Sequence, residues 1–221
     1  MSVPPWHLTG DGYVWLFRYP PAFVAREGRL AEWQRLSLSD TLGALMAVDY
    51  LETTVGPYRE LLFIPGRFKV AGRRWFSITS IYVNTEVSQH GGIEHWAIPK
   101  ALAEIARERQ PDGSEVFRAA RDGQTFFAAR LAAFGPRIPI SSALLPLGVA
   151  QSRGRDLLIT QPKARGWARL CRVHDMWADG VCFPDLRRCR PLLVLAVQGF
   201  RMTFPPPQVV PGYFERQAIT G

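Results

Sequence analysis

Gly91-Gly92-Ile93-Glu94-His95-Trp96-Ala97-Ile98-Pro99-Lys100-Ala101-Leu102-Ala103 is the stretch on which the reading of this chain turns. Pro99 biases Ile98 towards an extended backbone, and from residue 96 to residue 103 everything except the lysine is apolar. An amine in such company is a candidate for desolvation, which disfavours its charged form. Lysine is also scarce here: of 27 basic residues only Lys69, Lys100 and Lys163 are lysines. A guanidinium stays protonated in proteins, whereas an amine can lose its proton and attack a carbonyl. Where arginine is the default cation, each retained lysine raises the question of amine chemistry, although most such lysines serve only as surface charge.

On the C-terminal side, residues 103–109, 114–120 and 124–134 are separated by Pro111-Asp112-Gly113 and Asp122-Gly123, punctuation that predicts two hairpins. The first run is open to two readings, because residues 100–109 are rich in Ala, Leu, Glu and Arg and Pro99 suits a first helical position. Upstream, 42–50, 58–64 and 75–83 read as strands divided at Gly56-Pro57 and Pro65-Gly66, the start of a meander. Residues 13–17 form a short strand ended by Pro20-Pro21, and 29–36 allow a helical turn or two. Later strands fall at 156–160, 167–173 and 192–203, the last stopped by Pro205-Pro206-Pro207. The fold class expected is α+β, mostly antiparallel β with few short helices, and closure into a barrel would remove the exposed edges.

The 221 residues, 47% apolar and 21% charged, carry no linker-like break, which predicts one domain over 1–221. The net charge of +8 comes from scattered arginines rather than a basic stripe, so no nucleic-acid partner is expected. No apolar run reaches the roughly 18 to 20 residues of a membrane span, and residues 1–6 lack the pattern of a signal peptide; the expectation is a cytoplasmic protein with no membrane role. Cys171, Cys182 and Cys189 read as buried thiols, and His90 and His95, five apart with Glu94 between, as ordinary polar contacts rather than metal ligands. Ser141 and Ser142 show no nucleophile elbow, and no phosphate-cradling glycine loop is present, which excludes the common hydrolase and nucleotide signatures. Of Trp15, Trp75, Trp96 and Trp177, packing is the default role; only Trp96, beside Ile-Pro-Lys, is placed in a binding cavity.

Ile98-Pro99-Lys100-Ala101-Leu102, following Gly92-Ile93-Glu94, resembles the segment that bears the Schiff-base lysine of acetoacetate decarboxylases. Gly56-Pro57-Tyr58-Arg59-Glu60, Phe134-Gly135-Pro136-Arg137-Ile138-Pro139 and Phe200-Arg201-Met202-Thr203-Phe204-Pro205 resemble further parts of that family, in the expected order. The resemblance implies a closed β-barrel or cone with an enclosed apolar cavity, a homo-oligomer, and a lyase acting on a β-keto acid or related small carbonyl compound. It also implies chemistry that needs no metal or organic cofactor. Lys100 would be the Schiff-base residue and Glu60 a second catalytic group, with Tyr58 and Trp96 binding substrate; the alternative for Glu60 is a surface glutamate paired with an arginine.

Two departures stand out. Ala101 occupies the place where the decarboxylases carry a second lysine, and Asp11 and Gly12 lie where they place an early arginine. Lowering a lysine pKa from about 10.4 to about 7 takes roughly 4 to 5 kcal/mol, an amount that complete burial alone supplies. An iminium enzyme of the aldolase-dehydratase type, or a non-catalytic small-molecule binding protein with the same cavity, are the competing readings.

Overall fold

The computed structural model describes residues 3–143 and 148–219. Along the first half run β1 (Trp6–Arg18), α1 (Pro21–Glu27), α2 (Glu32–Ser37), β2 (Leu38–Asp40), β3 (Leu42–Thr53), β4 (Tyr58–Ile64), β5 (Arg67–Val70), β6 (Arg73–Phe76), β7 (Ser80–Val83), α3 (Glu86–Trp96), β8 (Lys100–Leu102) and β9 (Glu104–Arg109). The second half adds β10 (Glu115–Arg121), β11 (Gln124–Ser141), β12 (Val149–Arg153), β13 (Asp156–Thr160), β14 (Lys163–Ala178), β15 (Pro191–Phe204), β16 (Gln208–Val210) and α4 (Tyr213–Ile219). Among the described residues no helix is long and apolar enough to cross a membrane.

Ten strands form one sheet in the order β8-β7-β4-β3-β1-β15-β14-β11-β10-β9. Its two edges, β8 and β9, are consecutive in the chain and separated only by Ala103. The edges must therefore meet, and the sheet curls into a nearly closed barrel. An Arg59 Nη1 hydrogen bond to the Ile105 carbonyl (3.3 Å) ties β4 to β9 across this seam. A second sheet, ordered β16-β13-β12-β6-β5-β2, covers part of the barrel from outside.

Strand alternation divides the side chains between two places. Tyr13, Trp15 and Phe17 of β1, Leu45 and Ala47 of β3, Leu61 and Phe63 of β4, Phe117 of β10 and Phe127 of β11 converge inside the barrel, where α1 adds Phe23 and Val24. On the opposite face, Leu8 of β1, Ala44, Val48 and Tyr50 of β3, and Leu62 and Ile64 of β4 form a separate apolar group, joined by Ile78, Ile81, Trp96 and Ile98. The barrel interior is thus filled by side chains, and the cavity lies outside it, between the barrel wall, the second sheet and α3. This refines the expectation of a barrel that encloses its cavity.

Both expected hairpins are present, β9-β10 and β10-β11. At the second, Asp122 and Gly123 both have positive φ (51° and 74°), the paired left-handed geometry that two-residue hairpin turns require. Strands β4 and β13 begin and end where the residue pattern places them. The 103–109 run resolves as strand, because edge pairing with β10 overrides its helical propensity. The 75–83 run is broken at residues 77–79, so that it serves both sheets as β6 and β7. Helix α3 was not expected from sequence. Its buried residues are Ser88, Gly91, Gly92 and Trp96, so it shows no apolar stripe, and two interior glycines each cost about 1 kcal/mol of helix propensity.

Candidate active site

Lys100 stands on the three-residue strand β8, paired in parallel with Ile81 of β7. The chain reaches it through a tight exit from α3. Ala97 takes a left-handed conformation (φ 54°), and the amides of Ala97 and Ile98 bond back to the Ile93 and Gly92 carbonyls at 3.1 and 3.2 Å, closing the helix end. Pro99 then prevents any continuation. The glycine pair of α3 makes room for two large side chains: a Cβ on Gly92 would lie 2.6 Å from Lys100 Cδ, and one on Gly91 would lie 2.5 Å from the Trp6 ring. Their conformational cost is offset by letting the helix backbone lie directly on the lysine stem.

The lysine is 7% exposed and Glu60 is 4% exposed. Lys100 Nζ lies 2.9 Å from Glu60 Oε2 and 3.0 Å from Ser88 Oγ, to which it donates. The Tyr50 hydroxyl donates to Glu60 Oε1 at 3.2 Å, and the Tyr58 ring packs against that of Tyr50 with centroids 4.5 Å apart. Tyr50, Glu60, Lys100 and Ser88 thus form one continuous polar chain. Burial first, then the charge of Glu60, push the hydroxyls of Tyr50 and Tyr58 well above the ordinary phenol value, so both stay protonated. The rings of Tyr58 and Trp6 face the amine at 5.0 and 5.8 Å. Trp96 is buried against Trp6, with ring centroids 4.8 Å apart, and donates its indole N–H to the Pro205 carbonyl at 2.7 Å.

All these groups except Ser88 line one cavity of about 370 Å³. The remaining wall is apolar apart from Arg67, whose guanidinium is held by Asp40 at 2.9 to 3.1 Å. A larger groove of about 740 Å³ shares Leu8, Pro162 and Met202 with this cavity, but its lining holds no carboxylate to partner its lysine, Lys163. Among the described residues no cluster of three or more His, Cys, Asp or Glu could hold a metal ion.

The four residues singled out from sequence, Lys100, Glu60, Tyr58 and Trp96, line this cavity together. Glu60 is buried and paired with a lysine, not a surface glutamate paired with an arginine. Ala101 packs against the barrel core on the other face of the sheet, so position 101 is turned away from the cavity. Asp11 bonds the Gly199 amide and Arg107, away from the cavity lining. Tyr50, Ser88, Trp6 and Arg67 were missed. Tyr50 was within reach of sequence reasoning, since alternation along β3 and its pairing with Tyr58 place it on the Glu60 face; Ser88 was hidden by the unrecognised helix.

Residues 33–144 match the family profile for acetoacetate decarboxylase (ADC), and that span holds Tyr50, Tyr58, Glu60, Ser88 and Lys100. The chain belongs to the acetoacetate decarboxylase family. Solved structures agree on the fold. An acetoacetate decarboxylase-like enzyme from Sphingomonas wittichii RW1 is similar over 95% of this chain and 94% of its own, with TM-score 0.70 at 14% identity. The acetoacetate decarboxylase of Legionella pneumophila is similar over 96% and 89%, with TM-score 0.67 at 13% identity. The enduracididine biosynthesis enzyme MppR is similar over 96% and 90%, with TM-score 0.68 at 15% identity. No curated protein matches the chain in sequence. Within the acetoacetate decarboxylase family, then, this chain has a buried lysine-glutamate pair at the end of an apolar cavity.

Proposed function

We propose that the chain is a Schiff-base lyase in which Lys100 condenses with the carbonyl of a β-keto acid or related compound. The observation that carries this reading is the 2.9 Å Lys100–Glu60 contact, buried at one end of an apolar cavity. A buried ion pair is costly to maintain unless its geometry repays the desolvation. Here the acid also stands where it can take the proton that keeps the amine from reacting.

Glu60 accepts a proton from Lys100, and the freed amine attacks the carbonyl carbon to give a carbinolamine. Glu60 returns the proton to the departing hydroxyl, which leaves as water, and an iminium ion remains. The bond to the carboxylate breaks, its electron pair flows into the iminium, and carbon dioxide departs to leave an enamine. Protonation of the enamine carbon and addition of water release the ketone and restore the amine. Apolar walls favour the step that turns a carboxylate into neutral carbon dioxide. Tyr50, held as a phenol, orients Glu60 by donating to it, and Tyr58, also a phenol, donates to the oxygen that leaves as water.

A second reading shares every step up to the iminium and then uses the enamine to attack an aldehyde. MppR, one of the similar structures, binds the condensation product of pyruvate and imidazole 4-carboxaldehyde. The cavity lining here offers no cation to a substrate carboxylate besides Lys100 and Arg67, the latter already engaged by Asp40, and this shortage favours the alternative in the form where the enamine comes from a ketone without a carboxylate.

Incubation with acetoacetate or an acylpyruvate and borohydride, followed by peptide mass mapping, tests the common part. Covalent mass on the Lys100 peptide, absent in Lys100→Arg, is the expected result. An unmodified Lys100 across a broad panel of ketones and keto acids would overturn it. Release of carbon dioxide separates the two outcomes downstream of the iminium.

A further inference from the structure

The cavity has polar groups at its two ends and almost none between. Lys100, Glu60, Tyr50 and Tyr58 stand at one end and Arg67 at the other, while Leu16, Ala44, Met46, Leu62, Ile64 and Ile78 wall the span between them. Strand β4 supplies the scale. Glu60, Leu62 and Ile64 alternate onto the cavity face, so the apolar floor from Glu60 to Ile64 runs about 13 Å at roughly 3.3 Å per residue. Arg67 comes just beyond Pro65 and Gly66.

A volume of about 370 Å³ is large for a four-carbon keto acid. At about 30 Å³ per heavy atom, the share of one water molecule in the liquid, it holds roughly twelve heavy atoms, whereas acetoacetate has seven. Filling the remainder with water is unfavourable, because a buried water needs two to four polar partners and the middle of this cavity offers none. Leaving it empty forfeits dispersion contacts along the walls. The far end does not call for an anion, since the Arg67 guanidinium is already held through both Nε and Nη2 by Asp40.

We infer that the substrate is a medium-chain or aryl carbonyl compound of about twelve heavy atoms, with its carbonyl at Lys100 and a neutral hydrocarbon body lying along the Leu62–Ile64 floor towards Arg67. This rests on the Schiff-base reading for the reacting end, while the size and polarity of the body follow from the walls alone. Position 44 sets the length. Ala44 pairs with Ile64 at the end of β4 remote from Glu60, and its small side chain leaves the channel open there.

The test is a series of 2-alkanones from acetone to 2-dodecanone, incubated with the full chain and borohydride and read as the ketone concentration that half-labels Lys100. Affinity should rise about fourfold per methylene to an optimum near ten or eleven carbons and then level off or fall. In Ala44→Phe the optimum should move to shorter chains. Labelling that is strongest for acetone, or independent of length, would overturn the inference while leaving the Schiff base intact. If no ketone labels Lys100, the Schiff-base reading fails, and the body is judged separately by calorimetry with 1-alkanols of the same lengths. The same length dependence there supports the apolar subsite, and a flat series overturns it.

Discussion

Two sheltered charge centres flank the same barrel wall, and they differ in the cation chosen and in the space around it. In one, the Arg107 guanidinium bonds Glu115 at 2.6 Å and lies 3.4 to 3.5 Å from Asp49 and Asp11, while Arg59 holds Asp49 at 3.0 Å and Tyr13 donates to Glu115 at 2.6 Å. These groups come from β1, β3, β4, β9 and β10, so the network draws together strands on both sides of the seam. In the other, an amine meets one carboxylate and one serine beside an open cavity. The first is saturated with partners and cannot shed its proton; the second keeps one reactive atom and room in front of it. A sheltered ion pair therefore says little about role until the identity of the cation and the neighbouring volume are read together.

Lys100 is where the two centres are told apart most directly. Lys100→Arg keeps a charge near Glu60 and removes the amine, and turnover of any accepted substrate is expected to fall at least about a thousandfold, with borohydride labelling lost; Lys100→Arg turning over at the wild-type rate would erase the distinction between the two centres. Glu60→Gln should slow imine formation by about a hundredfold, measured as the rate of labelling at saturating ketone. Arg107→Met should do the reverse. It takes the shared cation from Asp11, Asp49 and Glu115, leaving only Asp49 with another arginine, and is expected to cost about 3 kcal/mol in denaturant unfolding, while the folded fraction still labels at Lys100.

A finer difference appears with pH. Burial pushes the Glu115 carboxyl up, but the hydrogen bonds from Arg107 and Tyr13 outweigh it and hold the group below its ordinary value of 4.5. A carboxyl with a depressed folded-state pKa stabilises fully above its unfolded value and loses that contribution as pH falls through the folded one. The melting temperature should therefore drop below about pH 4.5, and Glu115→Gln should flatten that part of the profile. The smallest effect concerns the thiols. Burial pushes Cys171 and Cys189 up to about 11, so an aromatic disulfide reagent at pH 7 should leave both unlabelled until the chain unfolds. Cys182 is only half-buried, in contrast to the expectation of three buried thiols, and should react first.

How much was legible in the sequence depended on whether the deciding interaction was local. The Asp122-Gly123 hairpin was readable because its turn demands residues that tolerate positive φ. Lys100 was readable because two of its apolar sequence neighbours, Trp96 and Ile98, line the same cavity. Glu60 entered through the likeness of its surrounding motif to the family, and the burial that decides its role was not visible. Helix α3 was not legible, since the pressure on it is close approach to Trp6 and Lys100, which selects Gly91 and Gly92 against helix propensity. Arg67 was missed for a similar reason: β5 belongs to the second sheet, and only tertiary packing brings it to the cavity.

Strand β8 is an edge, and its neighbour across the gap is the next segment of the same chain. Its only ladder partner in the sheet is β7, with Ile81 opposite Lys100, so one short parallel pairing fixes the reactive residue in place. A molecule in which β8 has come away from β7 loses the contacts of Lys100 with Glu60 and Ser88 and opens the amine to water. Reactivity at this one nitrogen is therefore a gauge of local assembly, present only while β8 is docked on β7 with Glu60 and Ser88 beside it.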